Sequence, residues 1–249
     1  MTTPPEPAAR DAYDRWHAKL EVDTESDAPW HRMLKTALDP ARDLAGKRVL
    51  EIGCGRGGFA AWLARHPATP REVAAADFSP AAVAKAEAFG AEAGLTNVRW
   101  HVADIQYLNQ FEDGAFDTVF SCETIEHVPN PPLAVRTLAR VLKPGGRLFL
   151  TAPNYFNTMG LYRAYCWVRG KTFDECGQPI VQWTMSFKTR RWMARAGLLV
   201  RRTDGVGHYL PFPGRPPIRV GFAEHPHFLM RWFAHHSFLL GEKPMGKAS

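Results

Sequence analysis

Cysteine is scarce in this sequence, and long apolar runs are missing. The 249 residues contain four cysteines, Cys54, Cys122, Cys166 and Cys176. They are spaced too widely for the paired cysteines of a zinc knuckle, and no secretory context argues for disulfides, so we expect reduced thiols and a cytoplasmic protein. No stretch approaches the roughly 20 apolar residues that a membrane-spanning helix needs. We therefore expect no transmembrane segment.

Charge is not concentrated in any one part of the sequence. The formal net charge is +6 and the isoelectric point is near 9.3, a balance that suits an anionic partner such as RNA, a membrane surface or an acidic metabolite. The basic residues are scattered, with no run of five or more, so the charge pattern does not single out a nucleic acid. Nothing in the sequence indicates an oligomeric state.

Short apolar runs alternate with alanine-rich segments from Lys47 onward. The runs RVLEI, EVAAAD, VRWHVAD, FDTVFS and GGRLFLTA have the composition of strands, and the segments between them have that of helices. This alternation is typical of a doubly wound α/β fold with a mostly parallel sheet. We expect N-terminal helices forming a lid over 1–43, a core over 44–205 with an insertion at 153–185, and a C-terminal extension over 206–249.

A glycine-rich turn follows the first predicted strand. The sequence after RVLEI reads Gly53, Cys54, Gly55, Arg56, Gly57, which allows a tight turn that brings the backbone close to a ligand at a helix N-terminus. The spacing of the glycines, with Asp77 about 20 residues on, would suit a dinucleotide equally well. The glycines could also serve only to pack the strand against the helix.

Acidic residues at the ends of three predicted strands indicate which ligand the turn binds. Glu51 ends the first strand, Asp77 the second and Asp104 the third, and FDTVFS and LKPGGRLFLTAPN follow in order. This series resembles class I S-adenosylmethionine (SAM)-dependent methyltransferases, and the resemblance implies a Rossmann-like, mostly parallel seven-stranded sheet. Carboxylates accept well from the ribose hydroxyls and the ammonium of SAM. Asp104 taken alone could equally be a turn cap.

Eleven residues are expected to contact the cofactor. The resemblance implies that the turn lies against the methionine part of SAM, that Asp77 bonds the ribose hydroxyls, and that Asp104 with Ile105 holds the adenine. Cys122 is expected as a small packing residue under the cofactor, and Arg32, with His31, is expected to close over the carboxylate of SAM because of its position before the first strand. The full set is Arg32, Glu51, Gly53, Cys54, Gly55, Gly57, Asp77, Phe78, Asp104, Ile105 and Cys122.

The segment after the fourth strand carries the candidate catalytic residues. In CETIEHVPNP, Glu123, Glu126 and His127 stand at i, i+3 and i+4 and would share one side of a helical turn. That set could bind one divalent ion, Mg, Mn or Zn, which would lower the pKa of a substrate hydroxyl. Alternatively, His127 acts as a general base that Glu126 orients, or the acids only cap the next helix.

The same segment resembles that of the ubiquinone-biosynthesis O-methyltransferases, in which a Glu-x-x-Glu-His set is implicated in metal binding. Small-RNA 2′-O-methyltransferases use a similar set with one more histidine, and that histidine has no evident counterpart here. The late histidines, among them His235 and His236, lack nearby acids in the sequence and are interpreted as surface or packing residues.

The function expected from these motifs is methyl transfer from SAM to a hydroxyl of a small molecule such as a quinol, phenol, sugar or other natural product. Two alternatives remain open, an RNA methyltransferase and a non-catalytic SAM-binding protein. The aromatic residues of the insertion could line the acceptor pocket, form a small core of their own, or rest on a membrane surface together with Trp232 and Phe233 beside Arg231.

Overall fold

The central feature of the fold is a seven-stranded sheet with strand order β3-β2-β1-β4-β5-β9-β6. We describe a computed structural model that covers residues 6–22, 24, 26–171, 181–212, 215–220 and 230–246. The strands are β1 (Arg48–Ile52), β2 (Glu72–Asp77), β3 (Val98–Val102), β4 (Phe116–Cys122), β5 (Leu142–Pro153), β6 (Leu199–Val206) and β9 (His236–Glu242), and β7 (Tyr209–Phe212) pairs with β8 (Arg215–Arg219) in a separate hairpin.

The sheet is mostly parallel, as predicted. Strand β1 pairs in parallel with β2 on one side and with β4 on the other, and β9 runs antiparallel to both β5 and β6. The central strands are buried on both faces, which explains why they read as unbroken apolar runs. The doubly wound, Rossmann-like fold is therefore confirmed.

Helices cover both faces of the sheet. They are α1 (Glu6–Ala18), α2 (Pro29–Ala37), α3 (Pro40–Asp43), α4 (Gly58–Ala64), α5 (Pro80–Glu92), α6 (Pro131–Val141), α7 (Thr158–Val168) and α8 (Ser186–Arg195). Because side chains alternate along a strand, Val49 enters the core on one face and Leu50 the core on the other. Proline at the first turn and a Ser79 side chain that accepts from Ala82 N fix the start of α5.

The sheet crosses the boundary expected at residue 205. Strand β9 lies in the stretch expected to be a C-terminal extension, yet it occupies a place between β5 and β6. Its central residues Phe238 and Leu239 are fully buried. Residues 236–242 are therefore part of the core sheet.

Membrane-spanning helices and disulfides were not expected from the sequence. No described helix is long and apolar enough to span a bilayer. The thiols of Cys54, Cys122 and Cys166 are free, and Cys176 lies outside the described residues.

Candidate active site

A cavity of about 550 Å³ opens at the carboxyl ends of β1, β2 and β4. The chain leaves β1 toward β2 on one side and later returns to place β4 on the other, and such a switch point is where open α/β sheets bind ligands. Helix α1 covers the cavity, with Tyr13, Trp16 and His17 in its lining. Nine predicted cofactor residues also line it: Glu51, Gly53, Cys54, Gly55, Asp77, Phe78, Asp104, Ile105 and Cys122.

The glycine turn has a backbone that only glycine adopts easily. Gly53 has φ +80°, and a Cβ there would lie 2.1 Å from Thr124 Oγ1. Gly57 has φ +87°, but a Cβ there would meet Trp100 and Ala86. Gly57 thus permits packing of the turn against β3 and α5 and does not line the cavity, unlike Gly53 and Gly55.

Two of the acidic strand ends are held rigidly by backbone amides. Asp77 accepts from Gly55 N and from Ser79 N, both at 2.9 Å, so its carboxylate is fixed beside the glycine turn. Asp104 accepts from Gln106 N at 2.8 Å, which makes it a turn cap that also faces the cavity. Carboxylate oxygens accept more than one hydrogen bond, so both residues retain capacity for hydroxyl or amine donors of a ligand.

Glu51 is buried at the end of β1 without a partner for Oε2. Burial raises the pKa of Glu51 to about 8, and the neighbouring Asp77 carboxylate adds to the rise. A buried, unpaired acid that lines a cavity would be compensated by a cationic group of a ligand. The ammonium of SAM is such a group, and SAM therefore fits the donor and acceptor set of this site.

Arg32 lies away from the site, contrary to the sequence-based expectation. Its guanidinium bonds Asp27 at 3.1 Å, both side chains are more than half exposed, and Arg32 does not line the cavity. The basic side chains that do line it near the turn are His17, His31 and Arg56. Arg56 stands inside the glycine motif and His17 in an N-terminal helix, and no pattern in the sequence indicates that the two lie in contact.

The three candidate metal ligands do not share one side of a helical turn. Glu123 has φ +48° and precedes a short 3₁₀ turn, Ile125–His127, so the three residues do not lie on one helix. Its Oε2 lies 2.8 Å from His236 Nδ1, whereas His127 Nε2 lies 3.3 Å from Glu126 Oε1. Across the described part of the chain, no three His, Cys, Asp or Glu side chains are placed to hold a metal ion. The residues therefore do not fit the expected site.

The partner of Glu123 was not recognised from the sequence. His236 was interpreted as a surface or packing residue, but it begins β9 and reaches Glu123 across 113 positions of sequence. Burial would raise the pKa of Glu123, but the paired His236, with Thr151 and His235, lowers it below its ordinary value. Burial in turn lowers the pKa of His235 to about 4, and the neighbouring His236 contributes.

Among the described residues of the insertion, no aromatic side chain lines the cavity. Tyr155 and Trp183 lie 5.6 Å apart, and the guanidinium of Arg163 stacks on both rings, so these side chains pack on one another. Trp167 is largely exposed on α7. The aromatic walls of the cavity come from Tyr13, Trp16 and Trp30 instead, with Phe59 and Phe78.

The chain is similar to known methyltransferases over its core. A family model described as "Methyltransferase domain" matches residues 50–150. A "Ubiquinone biosynthesis O-methyltransferase" of Xanthomonas oryzae pv. oryzae is 41% identical over 129 residues, which are 51% of this chain and 52% of the relative. One of Paracidovorax citrulli is 35% identical over 117 residues, 47% of this chain and 48% of the relative. The chain spans about half the length of the curated relatives it matches.

Solved structures share the fold across nearly the whole chain. A putative methyltransferase of Haloferax volcanii, solved in complex with the Trm112 methyltransferase activator, has TM-score 0.65 and 22% identity and covers 97% of this chain and 100% of its own. The [4+2]-cyclase SpnF has TM-score 0.65 and 20% identity, with 99% and 98% covered. At these identities the likeness is one of fold.

The sheet order, the glycine turn and the acidic strand ends define a class I SAM-dependent methyltransferase domain. The chain is similar to that class over residues 50–150 and shares its fold. Within it, the curated relatives reported above carry the name of the ubiquinone-biosynthesis O-methyltransferases, to which this chain is similar over half its length.

Proposed function

We propose that the protein transfers the methyl group of SAM to a hydroxyl of a small-molecule acceptor. The observation that carries the proposal is the position of His127, which lines the same cavity as the glycine turn and Asp77 and has Glu126 3.3 Å away. A base beside a cofactor site, held by a buried acid, is the arrangement that hydroxyl activation needs.

The reaction requires few groups from the protein. The acceptor oxygen attacks the methyl carbon, the carbon–sulfur bond breaks, and sulfur leaves as the neutral thioether of S-adenosylhomocysteine. His127 takes the hydroxyl proton, and Glu126 stabilises the resulting imidazolium. When bound, SAM supplies the electrophilic methyl group, and positioning of the two reactants supplies much of the rate.

The lining of the cavity favours a small aromatic acceptor such as a phenol or quinol. Its walls include Tyr13 and Trp30 together with the apolar Val128 and Leu133. Tyr13 and His127 have ring centroids 6.0 Å apart, so an aromatic acceptor would pack on Tyr13 beside the base. An RNA substrate would favour a basic approach surface, and Arg56 is the one arginine or lysine among the described lining residues.

No step of this mechanism passes through a metal ion. Glu123 is engaged by His236, and Glu126 is placed beside His127. The Glu-x-x-Glu-His set therefore serves as two acid–imidazole pairs in this chain, one with His127 and one with His236.

Two measurements test the proposal. Calorimetric titration with S-adenosylhomocysteine should show saturable binding, and labelled SAM should methylate at least one member of a panel of phenols, catechols and sugars. His127→Ala should leave binding of S-adenosylhomocysteine unchanged and lower kcat by about 10²-fold or more. His66→Ala, a change to a histidine outside the cavity, is the control. Methylation of an RNA pool with no small-molecule turnover would replace the proposed acceptor class, and absence of binding would overturn the proposal.

A further inference from the structure

Helix α1 turns one side toward the cavity. Ala9, Tyr13, Trp16 and His17 all line the cavity, and residues at i, i+4, i+7 and i+8 form a single stripe along a helix. A stripe of this kind normally packs on a hydrophobic core. Among the described residues, however, neither buried apolar cluster of the sheet includes a side chain from α1. The stripe is therefore placed to pack on whatever occupies the cavity.

Another side of α1 is attached to the start of α5. Asp14 accepts hydrogen bonds from Ser79 Oγ and from Ala81 N, the latter at 3.2 Å. The first N–H groups of a helix have no partner within that helix, and a carboxylate is favourable at this end. Asp14 thus supplies the N-terminus of α5 with a partner that comes from another helix.

Lys85, one turn further along α5, holds the end of α1. Its Nζ donates to the carbonyls of His17, Ala18 and Leu20 at 3.2, 2.9 and 3.0 Å. An ammonium has three N–H donors, which is enough for all three carbonyls. The last carbonyls of a helix have no partner within that helix, so a cation is favoured there. Lys85 is therefore a cap for the C-terminus of α1.

The residues that fasten α1 to α5 lie outside the lining of the cavity. The described lining residues include neither Asp14 nor Lys85, nor the residues of α5 that Asp14 contacts. Other contacts of α1 involve the lining itself, such as that of Arg10, which lies over the Phe78 ring at 4.6 Å from the centroid. A change to Asp14 or Lys85 therefore alters the placement of α1 and leaves the lining residues intact.

We propose that Asp14 and Lys85 are positioning residues for methyl transfer, because they hold the stripe of α1 over the cofactor and the acceptor. The inference rests on the function proposed above. Tyr13, whose ring centroid lies 6.0 Å from that of His127, would pack on the acceptor beside the base. His17 lies next to the glycine turn, since its Cε1 is 3.6 Å from the position that a Cβ on Gly55 would take. Without the bonds to α5, α1 should leave the cavity more often and both ligands should bind more weakly.

The first test measures hydrogen exchange in the ligand-free protein. Lys85→Met removes the three bonds to α1, and Asp14→Asn weakens the other attachment. Lys19→Met is the matched control, because Lys19 is exposed just after α1 and the same charge is lost. The amides of residues 8–20 should exchange at least fivefold faster in Lys85→Met and in Asp14→Asn than in the wild type or in Lys19→Met, while the strands of the sheet exchange as before.

The second test measures ligand affinity on the same proteins. By calorimetry, the dissociation constant of S-adenosylhomocysteine should rise at least fivefold in Lys85→Met and in Asp14→Asn, since charge-assisted bonds are lost. Lys85→Arg should restore part of the affinity, and Lys19→Met should stay within twofold of the wild type. For an acceptor that is turned over, KM should rise by a similar factor while kcat stays within twofold, because saturating ligands hold α1 in place.

The outcomes separate this inference from the proposed function. Exchange and affinity equal to those of the wild type in both variants, or equal losses in Lys19→Met and Lys85→Met, would overturn the inference while leaving SAM use intact. A fall in kcat at unchanged KM would also overturn it. Faster exchange throughout the sheet would do the same, because the role of these residues would then be a general structural one. A wild type that does not bind S-adenosylhomocysteine would instead overturn the proposed function.

Discussion

The buried Glu51 makes the ligand-free protein sensitive to pH in a direction that can be measured. Its pKa of about 8, against an ordinary value of 4.5, means that the folded protein favours the neutral acid. The contribution of neutral Glu51 to the free energy of unfolding is fully present below pH 4.5. It is lost as the pH rises toward 8. The difference of about 3.5 units, at about 1.4 kcal/mol each, sets an upper limit of about 5 kcal/mol for the loss.

Replacing Glu51 with glutamine should remove this loss. Glu51→Gln keeps the shape and cannot ionise, so its free energy of unfolding should exceed that of the wild type by an amount that grows by up to about 1.4 kcal/mol per pH unit between pH 5 and 8. Urea unfolding of both proteins without ligand, at four pH values in that interval, measures the difference. Glu92→Gln, at an exposed position of α5, is the control.

Ligand binding should lower the pKa of Glu51, which is the opposite of the effect of burial. The ammonium of S-adenosylhomocysteine would favour ionised Glu51, so binding at pH 7 should release up to about 0.9 proton, seen as a dependence of the calorimetric enthalpy on buffer. Glu51→Gln should bind more weakly and release none. Parallel unfolding profiles for Glu51→Gln and the wild type, or proton release that persists in the variant, would refute the reasoning.

Three further outcomes follow from the site. Asp77→Asn should weaken the binding of S-adenosylhomocysteine by tenfold or more, because the ribose hydroxyls lose a carboxylate acceptor. Calorimetry measures the dissociation constant, and an affinity equal to that of the wild type would show that Asp77 does not bind the ligand. Gly53→Ala should lower the free energy of unfolding by at least about 2 kcal/mol, since the added Cβ meets Thr124 and φ is +80°; a Thr124→Ala background should recover part of it, and unaltered urea unfolding would contradict the packing argument. Dialysis against EDTA should leave turnover within twofold, as Glu123 is paired with His236; loss of turnover that zinc or magnesium restores would reinstate a metal.

The sequence sufficed for the parts of the fold that are local. The strands between Lys47 and Pro153 are short apolar runs, most of them separated by helices, and the pattern repeats often enough to be recognised. Strand β9 was not predicted because HSFLLGE is a single short segment. The aromatic residues and histidines beside it show no regular spacing. Its partner β5 lies more than 80 residues earlier, and pairing at that distance leaves no trace in a local pattern.

The same limit explains which site residues were recognised. Glu51, Asp77 and Asp104 end consecutive strands, and parallel strands bring such residues to one edge. The prediction that Glu123 and His127 share one side of a turn assumed that both lie on a helix. The left-handed backbone at Glu123 is not helical, so the prediction is wrong. Arg56 and His17 meet because α1 folds back over the turn, which neither segment encodes alone.

The position of β9 also sets an order of events during synthesis. Strand β6 pairs only with β9 in the described sheet, and β9 includes some of the last described residues. A ribosome that has released residues 1–206 therefore presents β5 and β6 with open edges, while the half of the sheet that carries the glycine turn already has all its strands. We expect the nascent chain to form the cofactor site around the glycine turn early. The open edges of β5 and β6 should then need chaperones, or rapid synthesis of the remaining residues, to keep them from aggregating until residue 242 emerges.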